Sequence, residues 1–405
     1  MELLVARQPI FDSRLQVRAY ELLFRSSLKN SFDGSEGNSA TAKVISAVFG
    51  SPDTERLLGG KPAFLNFPRT LLVEGAASVL PPKTTVIEIL ETVEPDAPVV
   101  EACERLRTQG YQLALDDFVP QKAPHPLIPF ADYLKVDFRA TTPEEQREAA
   151  TRFEGQLRLL AEKVETREEF RRAARQGYEY FQGYFFARPE ILAARQIRGT
   201  KLNYLRILSE LHHPELDFYK LTALLKREHA LAYKLLRFVN SALFSRREPI
   251  ESIHQALTFV GEEAARKWLM VVGLLDLTTD RPAELAANTL VRARFSELLA
   301  ERSGLRSRRE DCFLMGMFSR LDAMLGRPLE ELLEELNLHE EIVRALLHRP
   351  KAADSLGSLW KLVEAYEAAD WKEVDPLATA LKIEMGVLGA SYTEAVAWAD
   401  AVCRH

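Results

Sequence analysis

Over the first 190 positions, polar residues able to do chemistry recur in one setting, each closing a short aliphatic, β-branched or aromatic run. Glu21 follows Tyr20, Asn66 closes Phe64-Leu65, Glu88 closes Val86-Ile87, and Asp116-Asp117 follow Ala114-Leu115. Lys135 follows Leu134, Glu162 follows Leu160-Ala161, and Gln182 follows Tyr180-Phe181. An unpaired carboxylate buried in a strand costs several kcal/mol, so acids repeated at strand ends argue for one shared site. Glu21, Asn66, Glu88, Asp116, Asp117 and Glu162 offer only oxygen ligands. Such a set suits hard cations, magnesium or manganese; no Cys or paired His stands nearby to favour zinc. Adjacent Asp116 and Asp117 could bridge two ions, an arrangement suited to in-line displacement at a phosphodiester. Lys135 and Arg25 add charge for phosphate oxygens or for orienting a water. Singly, each residue has a plainer reading: a helix cap plus a solvated acid, an exposed lysine, an ordinary ion pair, a tight turn at Gln182-Gly183. The joint pattern carries the inference.

Strands alternating with helices would have to position these groups. Ala42–Phe49, Ala97–Gly110, Pro143–Leu157 and Arg167–Gly177 read as amphipathic or polar helices between the strand candidates, which predicts a parallel sheet with helices outside. Seven or eight such units favour a closed β/α barrel of the TIM type, where residues ending different strands meet on one face. No Gly-rich phosphate turn follows the first strand, which argues against an open dinucleotide-binding sheet. Near residue 195 the strand signal fades. Leu221, Leu224 and Leu225, then Leu231, Leu235, Leu236 and Val239, recur at helical spacing. Asp217, Ser252 and Asp354 read as helix starts, and Gly261, Gly304 and Gly326 as stops. The expected architecture is α/β plus all-α, a barrel over 1–195 and a helical domain over 196–405, joined through a docked helix within Arg195–Leu211.

Composition narrows the class. The 405 residues are 47% hydrophobic, ample for globular cores, and the net charge of -6 is spread without a basic stripe, so no direct nucleic-acid partner is expected. Cys103, Cys312 and Cys403 lie far apart, which suits a reducing compartment. The start of the chain lacks a secretory pattern, and the apolar run Trp268–Leu275 is too short for a bilayer. A cytoplasmic protein without membrane attachment is expected.

Residues 3–190 resemble the EAL-domain phosphodiesterases, bacterial barrels that hydrolyse cyclic di-GMP to the linear dinucleotide pGpG. Arg7-Gln8-Pro9-Ile10 looks like the opening strand, and Glu21-Leu22-Leu23-Phe24-Arg25 stands where the family has Glu-Ala-Leu-x-Arg. Phe64–Phe67, Glu88-Ile89-Leu90-Glu91, Leu115-Asp116-Asp117-Phe118, Leu134-Lys135-Val136-Asp137, Ala161–Thr166 and Gln182-Gly183-Tyr184-Phe185 follow in the family's order. By that resemblance Glu21, Asn66, Glu88 and Asp116 would hold a first ion, and Asp116, Asp117 and Glu162 a second. Lys135 would hold the attacking water, with Glu21 and Glu162 also catalytic. Arg25 would take a substrate phosphate, and Gln8, Glu165 and Gln182 would complete the pocket. The resemblance also implies a barrel homodimer.

Departures accompany the matches. The family's Gly-rich loop after Asp-Asp-Phe is replaced by Val119–Leu127 with three prolines, so the positive-φ positions of glycine are lost. Leu90 replaces threonine although Glu91 is kept, Lys163 replaces glycine, and the stretch Asp137–Ala161 looks short for the family. Further on, Lys226–Ser241, Pro249–Leu257 and Val260-Gly261 resemble the HDOD domain, a relative of the HD phosphohydrolases. At the expected place of a His-Asp pair the chain reads Met315–Asp322, and His212-His213, His229, His254, His339 and His348 lack ligand spacing. A non-catalytic domain that contacts another protein is implied. The resemblance supports a cyclic di-GMP phosphodiesterase coupled to HDOD output; the alternative is a catalytically quiet sensor or scaffold.

Overall fold

A computed structural model describes residues 3–26, 56–119, 125–187, 199–211, 216–241, 250–336, 338–349 and 354–403. The expected helix Ala42–Phe49, most of the proline-rich segment (120–124) and His212-His213 lie outside these residues.

Only Ser13 to Gln16 separate β1 (Leu3–Asp12) from β2 (Val17–Ser26). The Asp12 carboxylate accepts from the Arg14 and Gln16 backbone N–H groups at 2.8 and 3.0 Å, and Leu15 turns the chain with a φ of 60°. A connection this short permits only antiparallel pairing, since a parallel crossover needs a dozen or so residues. β1 is likewise antiparallel to β8 (Tyr180–Phe181). The remaining strands, β3 (Ala63–Phe67), β4 (Thr85–Ile89), β5 (Gln112–Leu115), β6 (Tyr133–Asp137) and β7 (Arg158–Glu162), pair in parallel from β2 round to β8 and close the barrel in sequence order. The closed barrel matches the expectation; an entirely parallel sheet does not, and the short hairpin is the reason.

Helices α1 (Arg69–Val73), α2 (Ala97–Thr108), α3 (Pro143–Phe153) and α4 (Arg167–Gln176) join the parallel strands. Both α3 and α4 start with a reciprocal cap, Thr142 with Glu145 and Thr166 with Glu169, which satisfies N–H groups the first turn leaves open. The stretch Asp137–Ala161 therefore holds a complete helix and strand despite its short reading. Inside the barrel Ile10, Ala19, Phe64, Val86, Ala114, Tyr133 and Leu160 form one buried cluster, with Tyr180 against it. This apolar layer is the floor beneath the polar residues described below.

Contacts divide the chain into two units. Unit 1 is Met1–Arg188 with Leu298–Ser307 and Lys361–His405; unit 2 is Pro189–Glu297 with Arg308–Trp360. The last part of the expected 196–405 domain thus belongs with the barrel. Its anchors are polar bonds to β1: the Tyr366 hydroxyl donates to the Val5 carbonyl at 3.0 Å, and buried Arg7 pairs with Asp400 at 3.2 Å. A buried arginine needs such a partner, which sequence spacing across nearly the whole chain does not reveal.

Unit 2 is built from α5 (Gly199–Leu211), α6 (Phe218–Leu225), α7 (His229–Val239), α8 (Ile253–Val260), α9 (Glu262–Leu277), most of α10 (Ala283–Glu301) and α11 (Arg309–Phe318), and the short helices up to Leu346. Asp217 and Ser252 cap α6 and α8 as expected, and Asp354 accepts from Gly357 at the start of the helix Ser355–Glu367. Helices α10 and α11 approach so closely that a Cβ on Gly316 would lie 2.3 Å from Ala293 Cα. Among the described residues no helix is long and apolar enough to cross a membrane.

Gly183 follows Gln182 with a φ of 139°, where an added Cβ would sit 2.1 Å from the Val164 carbonyl oxygen. Gly183→Ala is expected to cost about 2–4 kcal/mol through strain and overpacking. Urea unfolding followed by circular dichroism checks this; an unshifted midpoint would mean that the backbone there yields.

Candidate functional site

The polar residues sit one pleat repeat above the apolar floor. Side chains two residues apart on a strand share a face. Ala19 is followed at that spacing by Glu21, Phe64 by Asn66, Val86 by Glu88, Ala114 by Asp116, Tyr133 by Lys135, Leu160 by Glu162 and Tyr180 by Gln182. On β1, which runs the other way, the matching residue precedes the floor: Gln8 lies two before Ile10. The register agrees, with Gln8 opposite Glu21 and Asn66 opposite Glu88. A single layer therefore gathers eight of the expected site residues.

Lys135 lies at its centre. Its ammonium, 1% exposed, is 2.7 Å from Glu162, 3.0 Å from Asp116 and 3.5 Å from Glu21, and it also pairs closely with Glu88. Gln182 donates to Gln8 at 3.0 Å and to Glu21 at 2.8 Å, and Asn66 donates to Glu21 at 3.0 Å. Burial alone would lower the lysine's pKa, but the surrounding carboxylates outweigh it and hold the group charged. For the acids, burial and mutual repulsion push Glu88 well up, and burial above all moves Glu162 from 4.5 to about 8 despite Lys135. Asp116 goes the other way: burial raises it, but Lys135 and hydrogen bonds from Glu88, Lys135 and Glu162 prevail and keep it ionised. One ammonium thus cannot hold every acid in its ionised form.

Beside this layer, Asp117 occupies left-handed backbone with a φ of 43°, and burial and Asp116 raise its pKa against the pull of Lys163. Lys163, itself at a φ of 51° where the family resemblance expects glycine, pairs closely with Asp137 and lies 3.7 Å from Asp117. Glu91 also joins the acids: oxygens of Glu91, Asp116 and Asp117 lie within 4.8 Å of one another, as do oxygens of Glu21, Glu88 and Glu162. Glu91 is not among the expected ligands, although the motif Glu88-Ile89-Leu90-Glu91 that carries the family resemblance includes it. Two expected substrate residues are engaged by other partners. Glu165 pairs with Arg139 at 2.8 Å, and Arg25 donates to the Trp371 carbonyl at 2.7 Å and pairs with Asp375.

The donor set fits divalent cations. Glu88 Oε2, Glu162 Oε2, Asn66 Oδ1 and Asp117 Oδ1 are buried without a hydrogen-bond partner, so oxygen lone pairs remain available beside a pair of acids already forced to keep their protons. Hard oxygen donors in this number match hard divalent cations better than softer metals. Among the described residues such groups of acids occur only in the barrel.

The chain also resembles known proteins. Residues 61–189 match the family model of the EAL domain and residues 201–346 that of the HDOD domain. The chain is 35% identical over 407 residues to a Vibrio cholerae protein named cyclic di-GMP phosphodiesterase CdgJ, across 99% of this chain and 93% of that one. It is 34% identical over 407 residues to YuxH of Bacillus subtilis, an uncharacterised protein, across 98% of both. Among solved structures, BlrP1 of Klebsiella pneumoniae in complex with calcium and cyclic di-GMP aligns at 22% identity and a TM-score of 0.40, over 47% of this chain and 56% of that one. The first two strands precede the EAL match, yet they complete the barrel and supply Gln8 and Glu21.

Replacing Lys135 by Met should leave the acids without their cation and cost about 3–5 kcal/mol. Excess manganese should return part of the loss in a thermal unfolding experiment, and a variant as stable as the parent would refute the central place given to the ammonium. The pH dependence has a definite sign. The Glu162 carboxyl titrates near 8 in the fold against an ordinary 4.5, so its contribution is complete below about 4.5 and vanishes as pH rises through about 8. Metal-free protein should accordingly melt at a lower temperature at about pH 8.5 than at about pH 6, and Glu162→Gln should flatten that slope. Equal slopes for the two proteins would contradict the assignment.

Proposed function

As this chain belongs to the EAL–HDOD family, we propose that its barrel hydrolyses cyclic di-GMP to linear pGpG and that its HDOD domain passes the state of the site to a protein partner. The observation that carries this reading is the gathering of Glu21, Asn66, Glu88, Asp116, Lys135 and Glu162 in one layer of a chain 35% identical to a protein named for that activity. Glu21, Asn66, Glu88 and Asp116 would hold one magnesium or manganese ion, and Asp116, Asp117 and Glu162 a second. Bound there, such ions would make water acidic enough to attack and would offset charge on the phosphodiester oxygens.

The chain's own groups do the rest. The Lys135 ammonium donates to the oxygen of the attacking water and stays charged throughout, because acids surround it. Glu162 Oε2, buried without a partner, can accept from the same water. Gln182 and Asn66 hold Glu21 by hydrogen bonds and so fix the oxygen positions before ligand arrives. Gln8 and Gln182 line the approach for substrate. Water adds to one phosphorus, the bond to the ribose oxygen opposite breaks, and that oxygen leaves with a proton.

A second reading has its own support. Lys163 places a side-chain ammonium 3.7 Å from Asp117, where the resemblance puts a second ion, and this favours a barrel that holds the dinucleotide without cutting it. Incubating purified protein with cyclic di-GMP and magnesium or manganese, followed by chromatography, separates the two. Linear product is expected, reduced at least about a hundredfold in Glu21→Ala and Asp116→Ala. Tight binding without product would overturn catalysis in favour of the sensor, and neither binding nor product would overturn both.

A further inference from the structure

Arg25 is held by a helix from the far end of the chain. It lies on β2 on the same face as Glu21, two pleat repeats further along, roughly 13 Å by strand rise. Its Nη1 donates to the Trp371 carbonyl at 2.7 Å and its Nη2 pairs with Asp375, the two side chains being 14% and 27% exposed. Both come from the helix Trp371–Ala380, within the same compact unit as the barrel. That helix is fixed from below: the Trp371 ring meets Tyr366 edge-on at 5.3 Å, and Tyr366 is tied to the Val5 carbonyl of β1.

The terminal nitrogens that a guanidinium uses to grip a phosphate are therefore already engaged. A carboxylate and a carbonyl oxygen occupy the places that two phosphate oxygens would take. The arrangement has a cost of its own, since Asp375 Oδ1 is buried without a hydrogen-bond partner. A charged group kept in that state weakens the pair relative to a phosphate able to satisfy the whole fork.

We infer that Asp375 is an internal competitor for Arg25: it stands in for the phosphodiester of the substrate, and the Trp371–Ala380 helix must release Arg25 before the dinucleotide binds fully. This rests on the function proposed above. An internal competitor lowers apparent affinity by the fraction of molecules in which Arg25 is engaged, so removing it tightens binding without adding any contact.

The test uses the full chain, chelator-treated so that no turnover intervenes, and calorimetric titration with cyclic di-GMP. Asp375→Asn and Asp375→Ala should each tighten binding about tenfold, Arg25→Ala should weaken it, and Asp375→Asn should have no effect in the Arg25→Ala background. Asp375→Asn keeps the side-chain volume, and a cooperative melt confirms its fold. Unchanged or weaker binding by both Asp375 variants overturns the inference while leaving the proposed function intact, as does tightening that persists without Arg25. Absence of binding in every protein, wild type included, overturns the inference, while the proposed function is decided separately by the product assay with magnesium or manganese.

Discussion

The Lys135 ammonium stands among Glu21, Glu88, Asp116 and Glu162 inside the barrel, and the order of the whole polar layer follows from that placement. Four carboxyl groups brought this close repel unless positive charge or protons intervene. One lysine supplies part of the answer. The remainder comes from the pKa values: Glu88 and Glu162 are driven up and hold protons, while Asp116 remains ionised. The site is thus neutralised in a way that a divalent cation can replace, by displacing protons from acids whose positions are already set.

Those positions depend in turn on the floor. Ile10, Ala19, Phe64, Val86, Ala114, Tyr133 and Leu160 fill the barrel interior, and every polar member of the layer stands one repeat above a floor residue. A register slip by one residue on any strand would send its polar group outward and a neighbouring apolar one inward. The antiparallel β1 is accommodated without disturbing the layer because the face of a strand is kept in either direction; only the sense of counting changes. Gly183 lets the chain turn tightly past Val164 directly after Gln182, which keeps that amide directed at Glu21.

Around this rigid centre the fold has been extended from the far end of the chain. Tyr366, Trp371, Asp375 and Asp400 attach the last helices to β1 and β2 through Val5, Arg7 and Arg25. The contacts are polar and buried or half-buried, so they define one seating more sharply than apolar packing alone would. They also bring a segment that lies beyond the HDOD match into reach of a residue that the EAL resemblance assigns to substrate.

Residue type and order alone determined the closed barrel, the convergence of Glu21, Asn66, Glu88, Asp116, Lys135, Glu162 and Gln182, and the helical caps at Asp217, Ser252 and Asp354. These are local facts: strand periodicity fixes which face a side chain takes, and a cap acts on N–H groups within three residues. Tertiary structure alone decided the direction of β1's pairing with β8, the protonation of Glu88 and Glu162, the approach of Glu91 to the Asp pair, and the capture of Arg25 by Asp375. Each of these depends on distances between groups remote in sequence. Coulomb interaction and burial act through space, and the spacing of letters along the chain carries no record of them.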